Sequence, residues 1–197
     1  MSHPSFSVLI PAAGASRRLG QVKQLVEYRG RTLLQSAIKV AYSVAPLEII
    51  VVTGAHAQAI KDSDQQAPVR WVHNPHWSDG MGGSIALGAN AISRDAIGLM
   101  ILLCDQYRVD SNDLQQLVRT WQSVPDRIVA ASSGGRLMPP VILPSSCFDS
   151  LRSLQGDQGA RSVLAAHPEL LTPVPMKNAA FDLDTPTQLE ILRISQL

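Results

Sequence analysis

A short apolar run, Phe6 to Ile10, feeds directly into Pro11-Ala12-Ala13-Gly14-Ala15-Ser16-Arg17-Arg18-Leu19-Gly20-Gln21-Val22-Lys23. The run reads as a buried strand. The small residues after it let the backbone approach a ligand closely, and successive N–H groups in such a turn can cradle an anion. Arg17, Arg18 and Lys23 add positive charge to the same stretch. A strand delivering such a loop constrains the chain toward an α/β fold that grips a phosphate at a strand's carboxyl end. Neither common phosphate loop is present. The G-x-x-x-x-G-K-[ST] spacing is absent, and Ser16 stands where the fingerprint G-x-G-x-x-G requires its second glycine.

Apolar runs alternate with helical patterns through the rest of the chain. Strands are predicted at Ser7–Ile10, Glu48–Thr53, Val69–His73, Leu99–Cys104, Arg127–Ala131, Pro140–Leu143, Thr172–Val174 and Ala180–Asp182. Several are rich in Val, Ile and Leu on both faces, as expected when helices cover a parallel sheet. Leu33, Leu34, Ile38, Ala41 and Tyr42 form one helical stripe. Leu114, Leu117, Val118 and Trp121 form another, with Ser111 as the expected cap. Thr185, Pro186 and Gln188 carry the N-cap, first-turn proline and capping-box signals of a last helix. This order predicts a three-layer α/β/α sandwich around a mostly parallel, Rossmann-like mixed sheet. Some antiparallel strands are expected after Arg127.

A chain of 197 residues supports one sizeable core, and a single domain over 1–197 is expected. A net charge of +1 gives no basic excess for a nucleic-acid groove. The longest apolar run, Ile97 to Cys104, is too short to span a bilayer. No secretory signal opens the chain, and Cys104 and Cys147 form no C-x-x-C pair. Reduced thiols and a cytoplasmic location are the expectation.

Three strand ends are chemically distinctive. The first carries the Gly14 loop. The Leu99–Cys104 run ends on Asp105, and a carboxylate there is costly unless it is hydrated, capped or metal-bound. Mg²⁺ is commonly held by one or two carboxylates plus substrate phosphates. The third end carries Asp182 and Asp184, which would point to one side of an extended segment. Asp184 is the preferred second metal ligand and Asp182 its substitute. A second glycine cluster, Gly80-Met81-Gly82-Gly83-Ser84, follows the Val69–His73 run and leads into a helix near Ile85. It could hold a base, ribose or acceptor phosphate against a helix amino end. His73 and His76 lack the further ligands of a zinc site. No G-x-S-x-G elbow makes an acyl nucleophile of Ser16 or Ser84.

Taken together, these stretches resemble nucleotidyltransferases related to molybdenum cofactor cytidylyltransferase. Ala12 to Lys23 resembles the signature A-A-G-x-S-x-R-M-G-x-x-K, and Lys23-Gln24-Leu25 resembles K-x-L. Asn74, Trp77, Gly80, Met81 and Ser84 resemble N-x-x-W-x-x-G-M-x-x-S, and Asp105-Gln106 resembles D-Q-P. Leu154 to Arg161 resembles L-x-G-D-x-G-A-R, and Asp182 to Pro186 resembles D-I-D-T-P. The matches run in order from about Ile10 to Gln188, over nearly the whole chain. Leu19 replaces the signature Met, Tyr107 stands in place of Pro, and Leu137-Met138-Pro139-Pro140 occupies the place of R-G-H-P.

The resemblance implies a fold of the nucleotide-diphospho-sugar transferase type. It also implies transfer of a nucleoside monophosphate from an NTP to a phosphorylated acceptor, with release of pyrophosphate. Arg18 would steady the leaving phosphates and Lys23 would neutralise charge at the α-phosphoryl. Ala12, Ala13, Gly14, Ala15, Ser16, Gly80 and Ser84 would bind the nucleotide. Asp105 and Asp184 would hold Mg²⁺. Alanine at position 13, where guanylyl relatives tend to have glycine, favours CTP. The implied acceptor is molybdopterin, and a molybdenum enzyme or its delivery factor is an implied partner. The Leu137–Pro140 departure leaves open a sugar-phosphate or polyol-phosphate acceptor, or a non-catalytic delivery factor for the cofactor.

Overall fold

Along β1 (Phe6–Ala12), Phe6, Val8, Ile10 and Ala12 join one apolar cluster while Leu9 joins another. Successive side chains leave a strand on opposite faces, so this strand is buried on both. The computed structural model describes residues 5–194; the outermost residues of the expected 1–197 domain lie outside them. After β1 come a 3-10 turn at Lys23–Leu25, the hairpin β2 (Glu27–Tyr28) and β3 (Arg31–Thr32), and α1 (Leu33–Tyr42). There follow β4 (Ile49–Thr53), α2 (Ala57–Asp62), β5 (Arg70–His73), α3 (Met81–Ala91), β6 (Gly98–Ile101) and α4 (Ser111–Ser123). The second half contains β7 (Ile128–Ser133), β8 (Arg136–Pro144), α5 (Phe148–Arg152), α6 (Ala160–Ala166), β9 (Leu171–Pro175) and α7 (Pro186–Ile194).

Seven strands form one sheet in the order β5-β4-β1-β6-β8-β7-β9. Only β8 runs against its neighbours, pairing antiparallel with both β6 and β7. The sheet is therefore the mostly parallel mixed sheet that the alternating pattern predicts. One face carries α1 and α4, with Leu34, Ile38, Leu117 and Trp121 packed on Val8, Val51 and Met100. The other carries α3, α5 and α6, with Ile85, Leu151 and Val163 packed near Leu9, Val52 and Ile101. β1 and β6 lie side by side and parallel, in the register Phe6 to Gly98 through Leu9 to Ile101. From β1 the chain crosses outward to β4, and from β6 it goes on to build the other half of the sheet. Ligand crevices of open α/β sheets form at such a switch point, outside the strands' carboxyl ends.

Local side-chain caps fix the starts of three helices, α1, α4 and α7. Thr32 caps α1 in a reciprocal box with Gln35. Thr185 and Gln188 exchange backbone and side-chain bonds at the start of α7, as their spacing predicts. At α4 the cap is Asp110 rather than Ser111, because its carboxylate accepts from both Asn112 N and Asp113 N. α3 begins at Met81, one turn before the expected Ile85. β6 ends at Ile101, so Asp105 lies four residues beyond the strand, in a turn. The predicted strand Ala180–Asp182 does not form. Lys177–Ala180 is a 3-10 turn, the Ala179 carbonyl accepts from Gln106 Nε2, and the chain continues irregularly into α7.

Candidate active site

The glycine loop leaves β1 and doubles back on itself. Ser16 adopts φ 53°, a left-handed conformation uncommon outside glycine, and its carbonyl accepts from Leu19 N and Gly20 N. This turn brings Lys23 back beneath the loop, where its backbone N–H donates to Ser16 Oγ at 3.1 Å. Leu19 leaves the loop to pack with Val26, Tyr28, Leu183 and Leu189 in a small third core. Tyr107 completes that cluster and meets Tyr28 edge to face, with ring centroids 5.2 Å apart. The hairpin, the Asp105 turn and the Asp182–Asp184 segment are thereby fastened to one another.

The Lys23 ammonium lies between two carboxylates remote in sequence. Nζ is 2.8 Å from Asp105 Oδ2 and 2.5 Å from Asp184 Oδ1. The lysine side chain is only 14% exposed, so this triad is largely shielded from solvent. Arg18 reaches Asp184 Oδ2 at 3.5 Å from an open position, with 77% of its side chain exposed. Burial alone would lower the Lys23 pKa, but the charge of Asp105 and the bonds to both carboxylates raise it. Burial pushes the Asp105 carboxyl up against the pull of Lys23. Burial also acts to raise Asp184, yet its bond to Lys23 and the nearby Arg18 hold it below the usual carboxylate range. The neighbouring Cys104 thiol is pushed up to about 12 by burial and by Asp105.

Pro11, Gly14, Ser16, Arg18, Lys23, Asp105 and Asp184 line one crevice of about 250 Å³. It adjoins a wider cleft of about 430 Å³ bounded by Ala13, Gly14, Ala15, Ser16, Trp77, Gly80 and Ser84. Most residues expected to act together therefore share one continuous wall. Two do not. Ala12 turns its methyl into the α1 side of the core, being the next inward position after Ile10. Asp182 is exposed and lines neither cavity; Leu183 beside it is buried, and of the two aspartates in this segment it is Asp184 that is bonded to Lys23. The second glycine cluster is a docking surface as well as a wall. Gly82 N donates to Gly156 O at 2.8 Å, and a Cβ on Gly80 would lie 2.2 Å from the Gly156 backbone. Ser84 is buried and accepts from Asn74 Nδ2 at 3.0 Å.

Two glutamines escape sequence-level site assignment. Gln24, 4% exposed, donates Nε2 to the carbonyls of Ala12 and Gly14. Gln106 is also buried and donates to the carbonyls of Pro139 and Ala179, which places the Leu137–Pro140 departure behind the Asp105 turn as a support. Gln106 belongs to the pair that resembles D-Q-P, whereas Gln24 falls on the variable position of K-x-L; neither carries a charge, and spacing alone does not say what either amide bonds.

The donor set suits a hard divalent cation. Asp105 Oδ1 is buried with no hydrogen-bond partner among the described residues, leaving a carboxylate oxygen to spare beside Asp184. Oxygen ligands of this kind match Mg²⁺ or Mn²⁺. Among the described residues no group of three His, Cys, Asp or Glu gathers around one point. A metal here needs further oxygens from a bound phosphate, the usual division of ligands at nucleotide sites.

Among curated proteins, nicotine blue oxidoreductase of Paenarthrobacter nicotinovorans is 29% identical over 97% of both chains. Purine catabolism protein PucB of Bacillus subtilis is 27% identical over 98% of both. A probable molybdenum cofactor guanylyltransferase of Synechococcus elongatus is 28% identical over 64% of both. Among solved structures, Rv0371c of Mycobacterium tuberculosis superposes with a TM-score of 0.84 at 22% identity, covering 98% of each chain. The model of the MobA-like NTP transferase domain matches residues 8–170, from the middle of β1 to the start of β9. That span takes in the glycine loop, Lys23 and Asp105, and the chain belongs to the MobA-like NTP transferase domain family.

Proposed function

We propose that this nucleotidyltransferase moves CMP from CTP to molybdopterin and releases pyrophosphate. The observation that carries the reading is the seat of Lys23 between Asp105 and Asp184, beside the Gly14 loop. An ionised phosphate oxygen of the acceptor attacks the α-phosphorus, a new P–O bond forms, and the bond to the β-phosphate oxygen breaks. Because the attacking oxygen already carries charge, the residues supply position and charge neutralisation rather than a strong base. Lys23 meets the charge growing at the α-phosphoryl. Arg18, exposed at the rim, meets the charge of the departing pyrophosphate. The Gly14–Ser16 backbone holds the donor in line. Asp105 and Asp184 would hold Mg²⁺, which supplies Lewis-acid stabilisation of the triphosphate when bound. Ala13, buried and lining the cleft, supports a smaller base over guanine. We take the setting to be the cytoplasm; no helix among the described residues is long and apolar enough to cross a membrane.

Pyrophosphate release measured with CTP or GTP, against molybdopterin and a panel of sugar and polyol phosphates, tests the reading. The fastest release is expected with CTP and molybdopterin. Preferred use of GTP overturns the donor assignment, and release only with a sugar or polyol phosphate overturns the acceptor. Nucleotide binding with no release under any acceptor would instead support a delivery factor.

A further inference from the structure

Gln24 sits at the hub of the glycine loop without pointing its polar atoms at a ligand. It follows Lys23 in the 3-10 turn and is almost wholly buried. Its Nε2 donates to Ala12 O at 2.9 Å and to Gly14 O at 3.2 Å, spending both amide hydrogens on loop carbonyls. Its Oε1 accepts from Ser16 Oγ at 3.5 Å, and that hydroxyl oxygen accepts from Lys23 N at 3.1 Å. One uncharged side chain thus ties the end of β1, the left-handed turn at Ser16 and the backbone of Lys23 into a closed hydrogen-bonded ring.

The direction of those bonds has a consequence. In a trans peptide the carbonyl of one residue and the N–H of the next point opposite ways. With the Ala12 and Gly14 carbonyls held toward Gln24, the N–H groups of Ala13 and Ala15 face the other way. Ala13, Gly14 and Ala15 bound the cleft that Trp77 and Ser84 close; Gln24 does not line that cleft but lines the adjoining crevice beside Lys23. Two backbone donors pointing the same way are an anion cradle. Left to itself, a loop of alanine and glycine samples many peptide orientations and pays entropy to present them together.

We propose that Gln24 is a positioning residue: its side-chain amide locks the peptide planes of the glycine loop so that the Ala13 and Ala15 amides are presented to a phosphate of the donor nucleotide. This rests on the nucleotide reading above. Because the amides act on bound donor, loss of the lock weakens nucleotide binding more than it slows the chemical step, whereas loss of Lys23 does the reverse.

Two variants and two measurements test it. Gln24→Met keeps the bulk and removes every bond; Gln24→Glu keeps the shape and turns an acceptor toward two carbonyls. For Gln24→Met, KM for the nucleotide rises about tenfold while kcat stays within about threefold, since one unmade hydrogen bond is worth about that much affinity. Gln24→Glu is expected to be worse than Gln24→Met in KM. Hydrogen exchange at the Ala13 and Ala15 amides quickens in both variants while the strands of the sheet keep their protection. Unchanged KM and unchanged exchange in both variants overturn the proposal, as does a loss confined to kcat. Should Gln24→Glu fail to fold, Gln24→Met alone decides. A wild-type protein that binds no nucleotide defeats the functional reading instead, and the locking of the loop then stands or falls on the exchange measurement.

Discussion

At the scale of single residues, the site is governed by how three charges share a shielded space. Lys23 is held above its ordinary value of 10.5 because Asp105 and Asp184 outweigh the cost of its burial. A raised cationic pKa gives stability that is complete below the ordinary value and is lost as pH rises through the raised one. Lys23→Ala is therefore expected to cost about 2–3 kcal/mol at neutral pH, less than at a fully buried pair. Urea midpoints of wild type and variant should converge above pH 10.5. Turnover of the same variant should fall by roughly 10²–10³, the effect of removing a preorganised charge-stabilising donor. Near-normal turnover in a folded protein would remove Lys23 from the mechanism. Asp105 behaves differently, because burial already raises its pKa and ionising it in the fold is costly. Asp105→Asn should thus leave Tm within about 3 °C of wild type, since Asp184 still pairs with Lys23. Activity that depends on a divalent metal should disappear. A fully active variant would reject Asp105 as a metal ligand.

At the scale of elements, the walls of the cleft depend on close backbone approach. The amino end of α3 is covered by the segment between α5 and α6, with Gly82 N bonded to Gly156 O. A Cβ at Gly82 would lie 2.7 Å from the Gln155 carbonyl oxygen and 2.8 Å from the Gln155 N and C atoms. Backbone cannot swing aside as a side chain does. Gly82→Ala is expected to cost about 1–2 kcal/mol, overpacking outweighing the better helix propensity of alanine. Thermal melting and nucleotide KM should report it together, because Asp157 on the displaced segment lines the cleft. An unshifted melt with normal KM would mean that the contact is not needed. Element scale is also where the motif pattern was least transparent. The Leu154–Arg161 stretch matches the family signature, yet its physical part is to seat a loop on a helix end, which spacing along the chain does not reveal.

At the scale of the whole molecule, one sheet serves both helical layers, so neither layer has a core independent of the other. A single cooperative unfolding transition is expected, with calorimetric and van't Hoff enthalpies equal. Two resolved transitions would break the single-domain expectation. Alternating apolar periods suffice to announce the layered class, since burial on both strand faces demands runs of Val, Ile and Leu. The glycine loop after β1, the capping box of Thr185 and Gln188, and the residue types of the site are legible along the chain, because each is written in neighbours a few positions apart. Folding in three dimensions is what joins Lys23 to Asp105 and Asp184, leaves Asp182 outside, and makes Gln24 and Gln106 buried supports. Those contacts join residues up to 161 positions apart, and such pairings follow from sheet order and crossover direction rather than from any local preference.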